Sequence, residues 1–272
     1  MNIPLEDTFA DILGKAQRGL EISDFDLAEK ARVNTEKVNE LRGGEFDELA
    51  LLRVAPVLGL AGRALVELAK GEWQPQQVDL EGLAQFSTHY DDMLVNAYVV
   101  WDPKSKEAAA FDTGADCSEM LQFIKDKKLT VKLILLTHAH PDHIADLTRL
   151  QEETAAPVFV SARELVSGAE AINEGKHFQL GQIAIESRLT WGHSRGGMTY
   201  VATGLTHPVA IAGDSIFAGS MGGGSISYND ALQNNLEKIL TLPDDTIICP
   251  GHGPMTTVGE EKEHNPFFAA KL

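Results

Sequence analysis

Residues 131–143 read VKLILLTHAHPDH, and this stretch indicates how the rest of the chain folds. Its first part is a near-continuous apolar run, which is typical of a strand buried on both faces. Its second part carries four metal-capable side chains within six positions, namely His138, His140, Asp142 and His143. Nine histidines in 272 residues would seldom cluster in this way by chance. The pattern therefore predicts a metal site at the end of a buried strand.

The spacing of these side chains indicates more than one metal ion. His138 and His140 alternate along an extended chain, so they point the same way. Asp142 and His143 follow where the next helix would begin, and they leave the backbone in different directions. A single tetrahedral ion cannot comfortably bind all four side chains, so two ions are the more natural interpretation. Imidazole and carboxylate ligands suit zinc, iron or manganese.

Composition excludes several other classes of protein. No run of about 18 apolar residues appears, so no membrane span is predicted. The first 17 residues, MNIPLEDTFADILGKAQ, lack the basic and apolar regions of a secretory signal. Cys117 and Cys249 are two scattered cysteines, which fits thiols kept reduced in a cytoplasm. The formal net charge of −17 argues against a broad phosphate-binding surface.

The chain changes character near residues 71–76, GEWQPQ. Before this point we expect only helices, five of them, and afterwards strand patterns alternate with helical ones. We therefore expect two domains, an all-helical domain over residues 1–75 and an α+β domain over residues 76–272. In the second domain strands outnumber helices, and helices fall between blocks of strands. This pattern predicts two sheets with helices outside them.

The helical part resembles the helix-turn-helix domain of phage-repressor-like regulators, over about residues 5–70. The resemblance rests on two short helical stretches, DFDLAEKA and TEKVNELR, joined by a three-residue turn. The second would offer Lys37, Asn39 and Arg42 to DNA. However, residues 1–75 contain nine Lys and Arg against fourteen Asp and Glu, a net charge of −5, whereas DNA-binding modules are normally basic. We therefore expect a dimerisation or lid role, compatible with a homodimer, and keep a DNA-binding regulator with a metal-site sensor domain as the alternative.

The HxHxDH pattern after an apolar strand resembles the signature of the metallo-β-lactamase fold. Three further elements of that family follow in order, each at the end of a predicted strand: WGHS with His193, AGDSIF with Asp214 and PGHGP with His252. The similarity covers about residues 80–267. It implies an αββα sandwich with a two-metal site at the edges of the sheets, here preceded by the small all-helical domain.

The resemblance also implies seven ligands for two divalent ions, with zinc favoured and iron or manganese as alternatives. The ligands of the first ion would be His138, His140 and His193. The ligands of the second would be Asp142, His143 and His252, with Asp214 bridging both ions. A hydroxide held between two cations is a nucleophile at neutral pH. Asp142 would in addition act as a catalytic residue that orients this hydroxide.

The ending LPDDTIICPGHGPMTTVGEEKEHNPFF (242–268) resembles the glyoxalase II group, the hydroxyacylglutathione hydrolases. This resemblance implies hydrolysis of a small thioester, whose leaving thiolate needs little protonation. Two features depart from the group. A Gly-Arg-Thr-Asp stretch of the short bacterial members is replaced by GSMGGGSISYND (219–230). The basic C-terminal helical domain of the larger members has no counterpart before Leu272, so the thiol carrier stays open.

Four residues are candidate substrate contacts. Trp191 stands where the usual proline of the family's PGH motif lies, and it would line the pocket or pack in the core. Arg195 would hold a substrate carboxylate or remain solvated. Gly222 and Gly223 belong to a glycine run that is either a flexible turn or a mobile lip for a bulkier substrate.

Other activities of the same fold remain open alternatives. One is a sulfur (persulfide) dioxygenase, in which a single iron takes two histidines and one aspartate while the residues of the second metal are retained. That group usually keeps the Gly-Arg-Thr-Asp stretch, so its absence counts against this alternative. A lactonase or a β-lactamase is a further alternative, because one fold can host many reactions.

Overall fold

Two six-stranded sheets form the centre of the protein, whose computed structural model describes residues 3–271. The first sheet has the strand order β1-β2-β3-β4-β5-β6. Its strands are β1 (Leu83–Tyr90), β2 (Met93–Trp101), β3 (Glu107–Phe111), β4 (Thr130–Leu135), β5 (Val158–Ser161) and β6 (Glu170–Ile172). The first three strands pair antiparallel, and β3 to β6 pair parallel.

The second sheet has the strand order β12-β11-β10-β9-β8-β7. Its strands are β7 (His177–Leu180), β8 (Ile183–Leu189), β9 (Met198–Thr203), β10 (Val209–Gly213), β11 (Ile247–Pro250) and β12 (Thr256–Thr257). Only β10 and β11 pair parallel, and the other neighbours are antiparallel. The carboxyl ends of β10 and β11 therefore lie at the same edge of this sheet.

The helices divide into an amino-terminal set of five and five more among the strands. The first set is α1 (Phe9–Gly19), α2 (Asp24–Ala31), α3 (Thr35–Arg42), α4 (Glu48–Val57) and α5 (Gly62–Lys70). The second set is α6 (Ser118–Lys127), α7 (Pro141–Ile144), α8 (Leu147–Thr154), α9 (Tyr228–Asn234), which continues into a π-helical turn at Asn235–Ile239, and α10 (Val258–His264). Within the described residues, none of these helices is long and apolar enough to cross a membrane.

The core has three apolar layers that follow from strand alternation. Along β2, Tyr98 and Val100 face the second sheet, whereas Val99 and Trp101 face the helices α6 and α8 on the other side. The outer face of the second sheet packs against α9, α10 and the five amino-terminal helices. The arrangement is the expected αββα sandwich, with the helical part added to one outer layer.

Most of the expected elements lie where the sequence pattern placed them. The stretch 131–135 is a central strand between β3 and β5, buried at Val131, Ile134 and Leu135 but exposed at Lys132. Four elements were not predicted: β1, β6, β12 and α10. The first of these is half-buried along almost its whole length, and β6 and β12 have only three and two residues. These three strands carry little periodicity of their own and form because a neighbouring strand accepts them, whereas α10 begins at a capping box formed by Thr257 and Glu260.

The amino-terminal helices pack directly onto the second sheet's outer layer. Apolar residues of α1 to α5 belong to the same buried cluster as Ile216, Tyr228 and Phe267. The amide N–H of Ala61 donates to the carbonyl of Pro266 at 2.7 Å. At Gly19 the approach is so close that an added Cβ would lie 2.2 Å from the Tyr228 ring. The helical part is therefore held against the sandwich by a continuous core.

Gly19→Ala tests this contact. We expect a net loss of stability, because overpacking against the buried Tyr228 ring costs roughly 1–3 kcal/mol and outweighs the helix-propensity gain of about 1 kcal/mol. Urea unfolding followed by circular dichroism measures the change. The matched control is Gly43→Ala, where an added Cβ meets only ordinary contacts of 3.4 Å. Equal stability of wild type and Gly19→Ala would contradict the tight docking.

Candidate metal centre

Segments that follow four strands bring the candidate ligands to one edge of the sandwich. The segment after β4 carries His138 and His140 and leads into α7, which contains Asp142 and His143. The other three candidates follow strands of the second sheet: His193 follows β8, Asp214 follows β10, and His252 follows β11. The carboxyl ends of adjacent parallel strands share an edge, which explains why β10 and β11 deliver neighbouring side chains. Pro141 starts α7 at a position where its missing N–H costs nothing.

The seven side chains fall into two compact groups. The first comprises His138, His140, His193 and Asp214, and the second comprises Asp142, His143 and His252. Within each group the potential ligand atoms all lie within 4.8 Å of one another. The structure thus brings together all seven residues in the division that the resemblance implies.

Asp214 lies between the two groups. Its Oδ2 is 3.3 Å from His193 Nε2 and 4.0 Å from His138 Nε2, both in the first group. Its Oδ1 is 3.2 Å from His143 Nε2 in the second group, and Oδ2 is also 3.5 Å from His252 Nε2. One buried carboxylate therefore faces imidazoles of both groups, as a bridging ligand would.

Backbone carbonyls set the orientation of two histidines. His193 Nδ1 donates to the carbonyl of Gly223 at 3.1 Å, and His252 Nδ1 donates to the carbonyl of Leu94 at 2.6 Å. A carbonyl can only accept a hydrogen bond, so the proton of a neutral imidazole is placed on Nδ1 in both rings. The Nε2 lone pair is then left facing the cluster, which is the form that binds a metal.

Asp112, which was not predicted from the sequence, orients two further histidines, His143 directly and His138 through Thr137. Its carboxylate accepts the N–H and the hydroxyl of Thr137, both at 2.7 Å, and the Nδ1–H of His143 at 2.9 Å. Because the Thr137 hydroxyl donates to Asp112, its oxygen is free to accept from His138 Nδ1 at 3.1 Å. One carboxylate thus orients a histidine in each group. The available signal was an acidic residue directly after the buried strand AAAF, one strand away from the THAHPDH segment.

Charge in the cluster is strongly coupled. Burial opposes ionisation of Asp214, but His143 and the other histidines outweigh it and hold the pKa of this carboxyl well below its usual value. Burial likewise disfavours the charged form of His143, yet Asp214 and Asp112 raise its pKa to about 10. Despite burial, hydrogen bonds to Asp142 and Asp214 raise the pKa of His252 to about 11. The site is therefore electrostatically suited to hold positive charge.

The residues present fit two metal ions. Among residues 3–271, His138 Nε2, His143 Nε2 and Asp214 Oδ1 are fully buried and have no partner in hydrogen-bond geometry. Burying such atoms unsatisfied is unfavourable. Five imidazoles and two carboxylates are the ligand types that zinc, iron and manganese accept. The unpartnered atoms all face the interior of the cluster, where bound cations would satisfy them.

The four candidate substrate contacts lie around His193 in different settings. Trp191 is half-buried and packs beside the inter-sheet core, with the Arg163 guanidinium 5.8 Å from its ring centre. Arg195 is exposed and forms no ion pair within residues 3–271. Gly222 is buried, and an added Cβ would lie 1.8 Å from the carbonyl oxygen of Asp214. The glycine run is therefore packed against the metal centre at this point, and its contact with substrate stays a prediction.

Comparisons with known proteins agree with this geometry. Residues 90–180 match the family model described as the metallo-beta-lactamase superfamily. A probable metallo-hydrolase of Bacillus subtilis, YqgX, is 33% identical over 182 residues, which cover 58% of this chain and 85% of the relative. The hydroxyacylglutathione hydrolase GloC of Haemophilus influenzae is 28% identical over 201 residues, covering 65% of this chain and 93% of the relative.

A solved structure extends the similarity beyond the matched segment. The BLEG-1 B3 metallo-beta-lactamase superposes with a TM-score of 0.59 at 30% sequence identity. The match covers 68% of this chain and 98% of that chain. The similarity therefore spans almost the whole of that protein, whereas about a third of this chain lies outside it.

Asp112→Asn tests the outer support of the cluster. Asparagine suits the site, because Asp112 has φ +56° and asparagine tolerates this left-handed conformation. We expect a loss of roughly 10–100-fold in zinc affinity, the usual effect of removing a partner of a metal-binding histidine. Titration against a chromophoric chelator measures it. The control is Asp116→Asn on the same loop, where the carboxylate is exposed. Unchanged zinc affinity in Asp112→Asn would refute the orienting role.

Metal binding should release protons. The pKa values of about 10 for His143 and about 11 for His252 lie above 7, so both imidazoles carry an extra proton in the metal-free protein at pH 7. A metal binds only the neutral imidazole, so apparent affinity should rise as the pH increases from 7 towards 10. Calorimetric titration with zinc in two buffers of different ionisation enthalpy counts the released protons. Zinc binding without proton release would contradict the raised pKa values.

Proposed function

This chain belongs to the metallo-beta-lactamase superfamily, and we propose that it is a two-metal hydrolase acting on small thioesters. The observation that carries the proposal is the division of seven ligand side chains into two groups, with Asp214 facing both. A single-iron dioxygenase of the same fold would retain Asp142, His143 and His252 as well, so the number of bound metal ions distinguishes the two activities. We propose zinc as the metal, with iron and manganese as the alternatives that the ligand types allow.

The chain's own residues would orient the reaction around this centre. Two bound divalent ions would lower the pKa of a water molecule and polarise the thioester carbonyl. Asp142 Oδ2 lies 3.3 Å from His252 Nε2 and 3.4 Å from His143 Nε2. Burial favours its neutral form, but these histidines hold the pKa of its carboxyl below the usual value. Asp142 is therefore an acceptor at neutral pH, able to orient the attacking water through a hydrogen bond.

The side of the cluster formed by His140 and His193 is the more open one. These two rings are partly exposed, whereas His138, His143 and His252 are buried. We propose that the substrate approaches from this side, with Trp191 as an apolar wall. The exposed guanidinium of Arg195, which has no ion pair among residues 3–271, would bind a carboxylate of the substrate.

Support for a thioester comes from two independent features. The carboxyl-terminal stretch 242–268 resembles the hydroxyacylglutathione hydrolases, and the curated relative GloC carries that activity in its name. A leaving thiolate also requires no strong acid, which agrees with a site whose five histidines would all serve as metal ligands. The likeness to a B3 metallo-beta-lactamase makes β-lactam hydrolysis the activity to measure beside it.

Two of the candidate DNA contacts, Lys37 and Arg42, take part in contacts within the helical part. In α3, Lys37 forms ion pairs with Glu40 at 2.5 Å and with Asp47 at 3.3 Å. Arg42 donates to the side-chain carbonyl of Gln17 at 2.7 Å. These contacts satisfy the cations within the helical part itself. We infer that this part serves the hydrolase, and that a metal-sensing DNA regulator is the weaker proposal.

His138→Ala and Asp214→Ala test the proposed function. The purified protein should contain two metal ions per chain and hydrolyse S-lactoylglutathione or simple acyl-thioesters, followed by the appearance of free thiol. Either substitution should lower both metal content and turnover, with turnover falling by at least 100-fold because the nucleophile is generated at the metals. The control is His207→Ala, whose side chain lies at the exposed pair with Asp245.

Other outcomes would identify a different activity. One iron per chain with oxygen consumption on glutathione persulfide would replace the hydrolase by a dioxygenase. Hydrolysis of β-lactams or lactones without hydrolysis of thioesters would keep the metal centre and replace the substrate. Full turnover of thioesters by Asp214→Ala would contradict the metal assignment itself.

A further inference from the structure

Two charged residues of the helical part contact the loop that follows Asp214. Lys15 of α1 forms an ion pair with Asp7 and donates a second hydrogen bond to the carbonyl of Met221 at 2.9 Å. Asp7 also accepts the hydroxyl of Ser220 at 2.5 Å. The Lys15 and Asp7 side chains are only 15% and 8% exposed. The ion pair is therefore shielded from water and joins α1 to two consecutive residues of the loop.

The same lysine lies beside a ring that contacts the metal centre. Lys15 Nζ is 5.0 Å from the centre of the Phe217 ring. Phe217 in turn packs edge-on against His252, with 5.7 Å between ring centres. Glu6, the residue before Asp7, lies against Gly253. A Cβ added to Gly253 would be 3.3 Å from the amide nitrogen of Glu6. The helical part thus contacts two of the loops that carry candidate ligands.

The loop has few side chains next to Asp214 and is held on both sides of its glycine run: Asn265 donates to the carbonyl of Ser220 at 2.8 Å, and the Ser225 hydroxyl donates to the carbonyl of His193 at 2.8 Å. Gly222 must remain a glycine, since any Cβ would collide with the Asp214 carbonyl. In the run 221–224, MGGG, only Met221 has a side chain. The three glycines would leave this run with high conformational entropy if nothing held it. The hydrogen bond from Lys15 to the Met221 carbonyl fixes this run at its first residue.

What the loop fixes is the tautomer of a candidate ligand. Two residues after Met221, the carbonyl of Gly223 accepts Nδ1–H from His193 and leaves Nε2 facing Asp214. A shift of this carbonyl by about 1 Å would break a hydrogen bond of 3.1 Å. The path from Lys15 through Met221 to Gly223 and His193 is therefore short and continuous.

We propose that Lys15 and Asp7 are positioning residues of the metal centre, through which the helical part holds His193 in its metal-binding form. The inference rests on the proposed two-metal hydrolase and gives the helical part a role within it. It acts on the first group of ligands, to which His193 belongs. In the second group, Asp112 and the Leu94 carbonyl set the hydrogen bonds of His143 and His252, and neither belongs to this loop, whose Phe217 touches the His252 ring by packing only.

Lys15→Met is the first test, since it removes the charge and keeps an unbranched apolar side chain of similar length. Zinc titration against a chromophoric chelator should show that the wild type binds two ions. The variant should bind one of the two about tenfold more weakly, because Lys15 would act on a metal ligand only indirectly. The Asp7→Asn/Lys15→Met double variant avoids leaving a buried carboxylate unpaired and should show the same selective loss. Lys15→Arg should restore most of the affinity.

A second measurement separates positioning from general destabilisation. In protein labelled with ¹⁵N-histidine, the hydrogen-bonded Nδ1 proton of His193 should give a protected signal that disappears in Lys15→Met, whereas the signal of His252 persists. The matched control is Lys37→Met, which removes an ion-paired lysine of the same helical part far from the loop. It should leave both zinc affinities and both signals unchanged.

Each remaining outcome is decisive. Wild-type affinity for both ions in the folded single or double variant would overturn the proposal, and so would equal weakening of both ions. If Lys15→Met does not fold, the double variant decides. A wild-type protein that binds no zinc, iron or manganese would instead refute the two-metal site on which the inference rests.

Discussion

The buried carboxylate of Asp214, surrounded by imidazoles from three different loops, is the constraint on which this structure depends. Four histidine nitrogens lie within 3.2–4.0 Å of its two oxygens. Bringing so many ionisable groups out of water is unfavourable unless charges compensate and hydrogen bonds are made. The histidines must therefore be held so that an inner nitrogen can face a cation, and contacts from outside the cluster do this for four of the five, while His140 contacts His193.

The sandwich supplies that orientation through parts that otherwise look unremarkable. Asp112 lies at the end of β3, directly beside β4, and it serves a histidine in each group. Backbone carbonyls of Leu94 and Gly223 serve two more. The helical part contributes by packing against the second sheet and contacting the loop after Asp214. Fold and site are thus two aspects of one arrangement, in which sheet edges place the ligands and outer contacts set their chemistry.

The ligand cluster could be predicted from the sequence, because its information is local or follows an ordered pattern. His138 to His143 are contiguous, and His193, Asp214 and His252 each end an apolar run. Asp112 could not be identified in the same way, since its role depends on which strand lies beside β4. The requirement for glycine at position 222 could not be predicted either, because it comes from a tertiary contact with the Asp214 backbone. The helices α2 and α3 span the predicted stretches DFDLAEKA and TEKVNELR, and the structure shows Ser23 and Asn34 as their caps. Where those helices would pack was not predictable, because their exposed and buried faces do not specify a partner.

The measurement that tests the central claim most directly is anomalous X-ray diffraction from crystals of the metal-loaded protein, recorded on both sides of the metal's absorption edge. Two anomalous peaks per chain are predicted, one among His138, His140 and His193 and one among Asp142, His143 and His252, with the Asp214 carboxylate between them. A single peak in the first group, or no peak at all in this cluster, would contradict the two-metal centre.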